Sequence, residues 1–514
     1  MAPEARASSL AGPAAAPPGG TAGGGAGATE NAASESAILA VLGQYAVMQV
    51  VLALSGLVRN KVVALRLGPG AFGEISQIGA VVAVAATLVS FGMSVGLSRN
   101  AAKARTLEQR AEQLENANGI VLGLSALAVL ALGGLLLSGR LLPMAGLTTS
   151  RATEWAAALF LLAIPFEGLK TNYLALLQGI LDVKGLAVGR SVGVLLATVF
   201  AVPVVWFFGF VGAALQYLIL SVLVTALLGW RCRALGYSPL RARLRRSEVI
   251  LLGSFGLMSM ASSFAQVLAD TSVRSRLIES FGATANGLVQ APYVLAMSLK
   301  TIVLASIGSV SLATIAPKDD PGEISSSVDR LLSVVIPVGT AALALLGLFG
   351  SLAMTLLYSK AFIPGAGFFP YVLCADLLLV FVWVIGAPLL AYGDRTIWLA
   401  LDLVFAGSRW AVALALMPRL SGHAVVVGYL AGVGLHALLN LGVYFFRYRL
   451  RLPARHVWRL LGGLALVAGA SVLGASARTP VALTLAGLAV LFAYSFHHAR
   501  SSGLLSGLRR RLGR

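Results

Sequence analysis

Apolar runs of about 20 residues recur along almost the whole chain, and this recurrence limits the fold more than any other feature. Each run is long enough to cross the hydrocarbon core of a bilayer as an α-helix. Charged residues make up only 11% of the chain, against roughly 25% in a soluble domain. A soluble reading would need most helices buried on every face, which one chain cannot arrange. The expected fold class is all-α: a polytopic membrane protein of about fourteen transmembrane helices between residues 37 and 497.

The formal charge of +19 would suggest nucleic acid in a soluble protein. Here its cause is the positive-inside bias, and no nucleic-acid partner is expected. With the N-terminus inside, roughly 26 of the 39 Lys and Arg residues fall in one set of loops and about 10 in the other. That asymmetry places the N- and C-termini in the cytoplasm; a bacterial inner membrane is the expected location. Residues 1–36, rich in Ala, Gly, Pro and Ser, lack the apolar core of a signal peptide and read as a disordered tail. Segments 231–248 and 498–514 read as a basic cytoplasmic linker and a basic cytoplasmic tail. Segment 97–117 carries charges at helical spacing and reads as a solvated connector in preference to a surface helix. Cys232 and Cys374 are too few for a disulfide framework or a metal site.

One internal repeat is visible. Val58-Arg59-Asn60-Lys61 is followed by Gly68 and Gly73; Val273-Arg274-Ser275-Arg276 is followed by Gly282 and Gly287. Both copies stand after an odd-numbered helix and before a long apolar one, so both face the same side. The repeat predicts two parallel lobes of about six helices each, 37–230 and 249–446, related by an axis along the membrane normal. Segment 458–497 is then an extra helix pair.

Several motifs resemble catalytic ones without their context. Gly68-Pro69-Gly70-Ala71-Phe72-Gly73 fits the dinucleotide fingerprint, but no strand precedes it. A tight turn between helices is the better reading. Gly92-Met93-Ser94-Val95-Gly96 and Gly189-Arg190-Ser191-Val192-Gly193 fit a nucleophile elbow, but small residues four apart serve close helix approach. No Walker loop occurs, and His423, His436, His456, His497 and His498 lack metal-ligand spacing. Neither a cofactor nor enzymatic chemistry is expected.

Charges within hydrocarbon are costly, and they pair or line a cavity. The cations are Arg59, Lys61, Arg66, Lys170, Arg274, Arg276, Lys300 and Arg409; the acids are Glu74, Glu167, Asp270, Glu279, Asp376 and Asp402. Glu167 and Lys170 stand three apart and share a helix face. The four repeat cations are either snorkelling interfacial residues or a basic patch between the lobes. Lys170 and Lys300 lie deeper and read as cavity residues. A basic cavity implies an anionic substrate, because Arg binds phosphate bidentately and Lys acts as a point charge. A lipid-linked pyrophosphate fits, its tail left in the bilayer.

Leu57-Val58-Arg59-Asn60-Lys61, Leu67 to Gly73, and Ser90-Phe91-Gly92 through Ala102 resemble the opening of polysaccharide exporters. These are the O-antigen (Wzx-type) flippases of the multidrug/oligosaccharidyl-lipid/polysaccharide (MOP) superfamily. Arg274 to Pro317 is similar to the start of that family's second half, and Leu177-Gln178-Gly179 also fits. The resemblance implies a MATE-like, two-lobed, alternating-access flippase. It would carry an undecaprenyl-pyrophosphate oligosaccharide from the cytoplasmic to the outer face for polysaccharide or lipopolysaccharide export. Polysaccharide polymerase and glycosyltransferases would be its membrane companions. By position, Arg59, Lys61, Arg274 and Arg276 would meet the pyrophosphate, with Arg66, Lys170 and Lys300 as further cations. The extra pair resembles that of the lipid II flippase, a sister branch. Helix one has no carboxylate, unlike many cation-coupled multidrug exporters, which leaves Asp270, Asp376 and Asp402 as ion-coupling candidates.

The competing readings are a multidrug cation antiporter or a lipid II-type flippase on the same scaffold, a membrane glycosyltransferase or O-antigen ligase, and a structural scaffold. The excess of cations in the first helix of each lobe argues against cationic drugs. A ligase needs a large outer loop with catalytic residues, and the external loops are short. A scaffold has no need of intramembrane charge.

Overall fold

The structure, a computed structural model, describes the backbone of residues 26–315, 320–476, 487–491 and 494. The chain divides into two compact units, Met1–Gly43 and Gln44–Arg514. The described part of the first is helical. The second holds the helix bundle. Much of the tail read over 1–36, most of the span read at 479–497 and the tail at 498–514 lie outside the described residues.

Helices run in the order α1 (Ala26–Ser90), α2 (Met93–Lys103), α3 (Leu107–Leu137), α4 (Leu141–Met144), α5 (Arg151–Gly179), α6 (Val183–Ala234) and α7 (Arg246–Ile315). They continue as α8 (Pro321–Leu348), α9 (Gly350–Leu357), α10 (Phe369–Ile385), α11 (Ala387–Ala391), α12 (Arg395–Leu420), α13 (Gly422–Gly442) and α14 (Ala454–Ala475). No strand occurs among the described residues. Nine of the described helices are long and apolar enough to cross a membrane. α1 and α6 are each broken midway by a glycine, at Gly68 (φ 74°) and Gly209 (φ 56°), and so supply two crossings each. α7 breaks in the same way at Gly282 (φ 81°).

Gly68 and Gly282 are the first glycines of the repeat. Their positive φ lies in a region that a Cβ makes unfavourable, so glycine suits both breaks. Pro69 then opens the second half of α1, where its missing N–H is no loss. The stretch that fits the dinucleotide fingerprint is thus a turn between membrane helices. Gly189 and Gly193 sit against Leu228 and Val224 of the same broken helix, and Gly92 meets the backbone of Gly256. Close helix approach therefore explains both stretches that resemble nucleophile elbows.

The second glycines of the repeat face one another. A Cβ on Gly73 would strike the Ala283 carbonyl, and one on Gly287 would strike the Pro69 carbonyl. The Asn286 side-chain amide donates to the Gly73 carbonyl at 2.8 Å. Phe72 reaches from α1 into the core of the second half, with ring centroids 5.6 Å from both Tyr358 and Phe362. Gln77 donates to Ser275 Oγ at 2.7 Å and to the Thr271 carbonyl at 3.2 Å. These contacts make a close seam between α1 and α7.

Two hydrophobic cores flank it. One is built from the first half of the chain, from Met48 to Tyr237, with Ile278. The other is built from the second half, joined by Val63, Ala64, Phe72, Val205 and Ala213. α14 docks on the second core: Ser351 Oγ donates to the Gly474 and Ala475 carbonyls at 2.8 and 2.7 Å. At its other end Arg455 donates to Asp329 at 2.6 Å, and His456 Nε2 lies 2.6 Å from the same carboxylate.

Segment 97–117 differs from the solvated connector expected. It is helical in α2 and the first turns of α3, which open on a capping box between Thr106 and Gln109. The basic linker covers it. Arg243 N–H donates to the Glu115 carbonyl at 2.9 Å, Arg245 N–H to Asn116 Oδ1 at 2.9 Å, and Asn118 to the Pro239 carbonyl at 2.8 Å. Arg243 pairs with Glu115 at 3.1 Å and Arg245 with Glu112. The acids that looked like surface charges are the linker's anchors.

Replacing Gly287 with Val forces the seam apart. Thermal unfolding of the purified protein in micelles should fall, by an overpacking cost of about 1–3 kcal/mol. Unchanged melting would contradict the backbone contact.

Candidate functional site

The polar groups of the second half follow helix periodicity. Ser262, Gln266, Asp270 and Arg274 stand four apart on α7 and form one stripe. Tyr293 and Lys300 on α7, Asp402 and Arg409 on α12, and Tyr429 and His436 on α13 are each two turns apart. α10 contributes Asp376. These faces converge.

Asp270 is held by two guanidinium groups, Arg274 at 2.5 Å and Arg409. Asp376, 1% exposed, accepts from Lys300 Nζ at 2.8 Å and from Tyr429 OH at 2.7 Å, both on Oδ1. Lys300 also donates to Tyr429 OH at 3.1 Å. Arg409 lies over the Tyr429 ring, 5.1 Å from its centroid, and Tyr293 packs on the same ring at 5.3 Å. Tyr429 therefore joins the two ion pairs. Asp402 has a different neighbourhood. Ser262 Oγ donates to it at 2.5 Å, Gln266 donates to Ser262 at 3.3 Å, and His436 lies nearby with Nδ1 3.2 Å from the Leu401 carbonyl. Arg274, Lys300 and Arg409 thus match Asp270, Asp376 and Asp402 in formal charge. Within this cluster three buried atoms lack a hydrogen-bond partner among the described residues: Arg274 Nε, Tyr293 OH and Asp376 Oδ2.

The first half is arranged otherwise. Arg59 donates to Thr198 Oγ1 at 2.8 Å, Lys61 to the Leu356 carbonyl at 2.5 Å, and Arg66 to the Trp206 carbonyl at 3.4 Å, with its guanidinium 5.7 Å from the Trp206 ring. None of the three pairs with a carboxylate among the described residues. Lys170 pairs with Glu167 at 2.5 Å, and Glu167 also accepts from Ser221 at 2.6 Å.

The seven expected cations are therefore not gathered into one basic cavity. Arg274 and Lys300 enter the charge-matched core of the second half. Lys170 is neutralised on its own helix. Arg276 stands exposed, paired with Glu279 at 2.9 Å, and lines a separate cavity. Arg59, Lys61 and Arg66 keep positive charge unmatched. Sequence reading recognised Arg409 as an intramembrane cation but gave it no place in the site. It missed Ser262, Tyr293, Tyr429 and His436. The four-residue stripe on α7 and the seven-residue pairs were the available signal. Among the described residues no cluster of three or more His, Cys, Asp or Glu could hold a metal ion.

Removing one member of the Lys300–Asp376 pair strands a buried charge, a loss of about 3–5 kcal/mol. Lys300→Met and Asp376→Asn should each lower folded yield and melting temperature, and the double variant should recover much of both. A double variant as unstable as the sum of the singles would show that the pair is not coupled.

Residues 40–316 match the family described as polysaccharide biosynthesis protein. The chain is 23% identical over 396 residues to the lipid III flippase of Escherichia coli (strain K12), covering 76% of this chain and 94% of that one. The Shigella flexneri lipid III flippase is similar to the same extent. The fold is similar to that of the lipid II flippase MurJ in an inward closed conformation, with TM-score 0.67, 12% identity, and 91% of this chain and 99% of that one covered. It is also similar to an inward-facing MATE family multidrug resistance transporter of the MOP superfamily, with TM-score 0.63, 15% identity, and 79% and 98% covered. With more than half of its length matched, the chain belongs to the polysaccharide biosynthesis protein family, built on the membrane-spanning fold of the MOP superfamily.

Proposed function

We propose that this protein is a flippase that moves a lipid-linked oligosaccharide, an undecaprenyl-pyrophosphate glycan, from the cytoplasmic to the outer face of the inner membrane for polysaccharide export. The observation that carries the reading is the unmatched positive charge of Arg59, Lys61 and Arg66. A bilayer protein holds uncompensated cations where an anion is to be met. The family match and the likeness to proteins named as flippases support the same conclusion. A multidrug exporter of organic cations is disfavoured, because these three cations would repel such a substrate.

The two halves, 37–230 and 249–446, act as lobes that rock about the glycine seam, and α14 of the extra pair at 458–497 is carried by the second. Both termini are cytoplasmic, on the side of the basic linker 231–248. Polymerase and glycosyltransferases would act on the cargo before and after the flip. Asp270 and Asp376 already hold fixed cations. Asp402, which among the described residues takes a serine hydroxyl and no fixed cation and lies near His436, is the better coupling group.

The test is lipid flipping in proteoliposomes with a fluorescent undecaprenyl-pyrophosphate oligosaccharide on one leaflet. Arg59→Ala should slow transport about tenfold or more, as the loss of one charge-assisted hydrogen bond implies, and Arg59→Lys should retain part. Full activity of Arg59→Ala and Lys61→Ala would overturn the assignment, as would transport of a cationic dye in its place. Asp402→Asn should abolish the acceleration produced by an ion gradient while leaving downhill flipping intact.

A further inference from the structure

Two cavities of the bundle share Met144, Ser272 and Ser275 as lining and so adjoin, making a two-part groove. The first, about 560 Å³, is apolar, walled by the second half of α1, by α3 and by α7, with Leu88, Leu127 and Leu268 at its exposed rim. The second, about 510 Å³, is of mixed character: Leu414 and Met417 line it beside Arg276, Glu279, Ser280 and Trp410. The apolar part follows α3 from Leu124 to Leu135, a rise of about 16 Å. That is close to the length of one phospholipid acyl chain and far short of a long polyprenyl tail.

Chemistry at the mouth narrows the occupant. Arg276 and Glu279 are three apart, both exposed, and bonded to each other at 2.9 Å. The pair is neutral, so it offers no net attraction to a singly anionic headgroup. It offers one cation for a phosphate and one anion for an ammonium group. Ser272 and Ser275 already donate to the Ala269 and Thr271 carbonyls, so the headgroup's charged partners are Arg276 and Glu279. Trp410, 43% exposed, adds an amphipathic ring that suits a lipid headgroup boundary.

We infer that this groove is a binding site for a zwitterionic aminophospholipid, such as phosphatidylethanolamine, distinct from the transported lipid. One acyl chain lies along α3, the phosphate meets Arg276 and the ammonium meets Glu279. Because the walls come from α1 and α3 on one side and α7 on the other, the bound lipid is wedged between the two halves of the chain. The site stands whether or not the flippase assignment holds, since it uses none of Arg59, Lys61 or Arg66.

Native mass spectrometry of the delipidated full chain, titrated with phosphatidylethanolamine, phosphatidylglycerol and phosphatidylcholine of matched acyl chains, tests it. Retention of the ethanolamine lipid should exceed the other two by about fivefold, the scale of exposed ion pairs. Glu279→Gln, at an exposed position that tolerates the change, should erase that preference. Ala128→Trp, which fills the groove, should abolish retention. Equal retention of the three lipids by the parent chain would overturn the site. So would a Glu279→Gln variant with the preference intact, or displacement of the phospholipid by a polyprenyl phosphate at equal concentration.

Discussion

Charge inside a helix bundle must be answered by opposite charge or by a polar ligand, because hydrocarbon offers neither water nor counterions. The second half of this chain answers it internally. Asp270 takes two guanidinium groups, Asp376 takes an ammonium and a phenol, and Tyr429 joins the two. Such a network restricts how α7, α10, α12 and α13 can pack, since shifting any one helix strands a charge that has nowhere else to go. The helices are long and featureless by hydropathy. Their mutual rotation is set by these polar contacts and by the backbone contacts of small residues.

The repeat makes the two halves similar in backbone and different in electrostatics. Gly68 and Gly282 break their helices with nearly the same geometry, and Gly73 and Gly287 meet across the seam. The Arg residues that precede them diverge. Arg59 reaches a threonine hydroxyl on α6, while Arg274 reaches Asp270 beside Arg409 on α12. One half thus carries free positive charge and the other a balanced core.

The exposed pair Arg276–Glu279 belongs to neither arrangement. It lies two residues beyond Arg274, yet that rotation turns it from the polar core to an exposed cavity walled by α7 and α12. Neighbouring cations in one motif therefore serve different surroundings.

Apolar run length determined from sequence alone that the chain crosses a membrane many times, because backbone satisfaction in hydrocarbon admits little else. The glycine and arginine spacing was enough to reveal the repeat, since positive-φ turns select glycine wherever they occur. The resemblance carried by Arg59 to Gly73 led to the family. Tertiary structure decided which cations are matched. Lys170 and Lys300 both read as buried lysines, and only packing shows that one pairs along its own helix and the other across to α10. It also decided that 97–117 is mostly helix, in α2 and the start of α3: the acids there grip a linker far away in the chain. Hydropathy records the solvent each residue prefers. Partners distant in sequence are chosen by helix rotation, which no local pattern specifies.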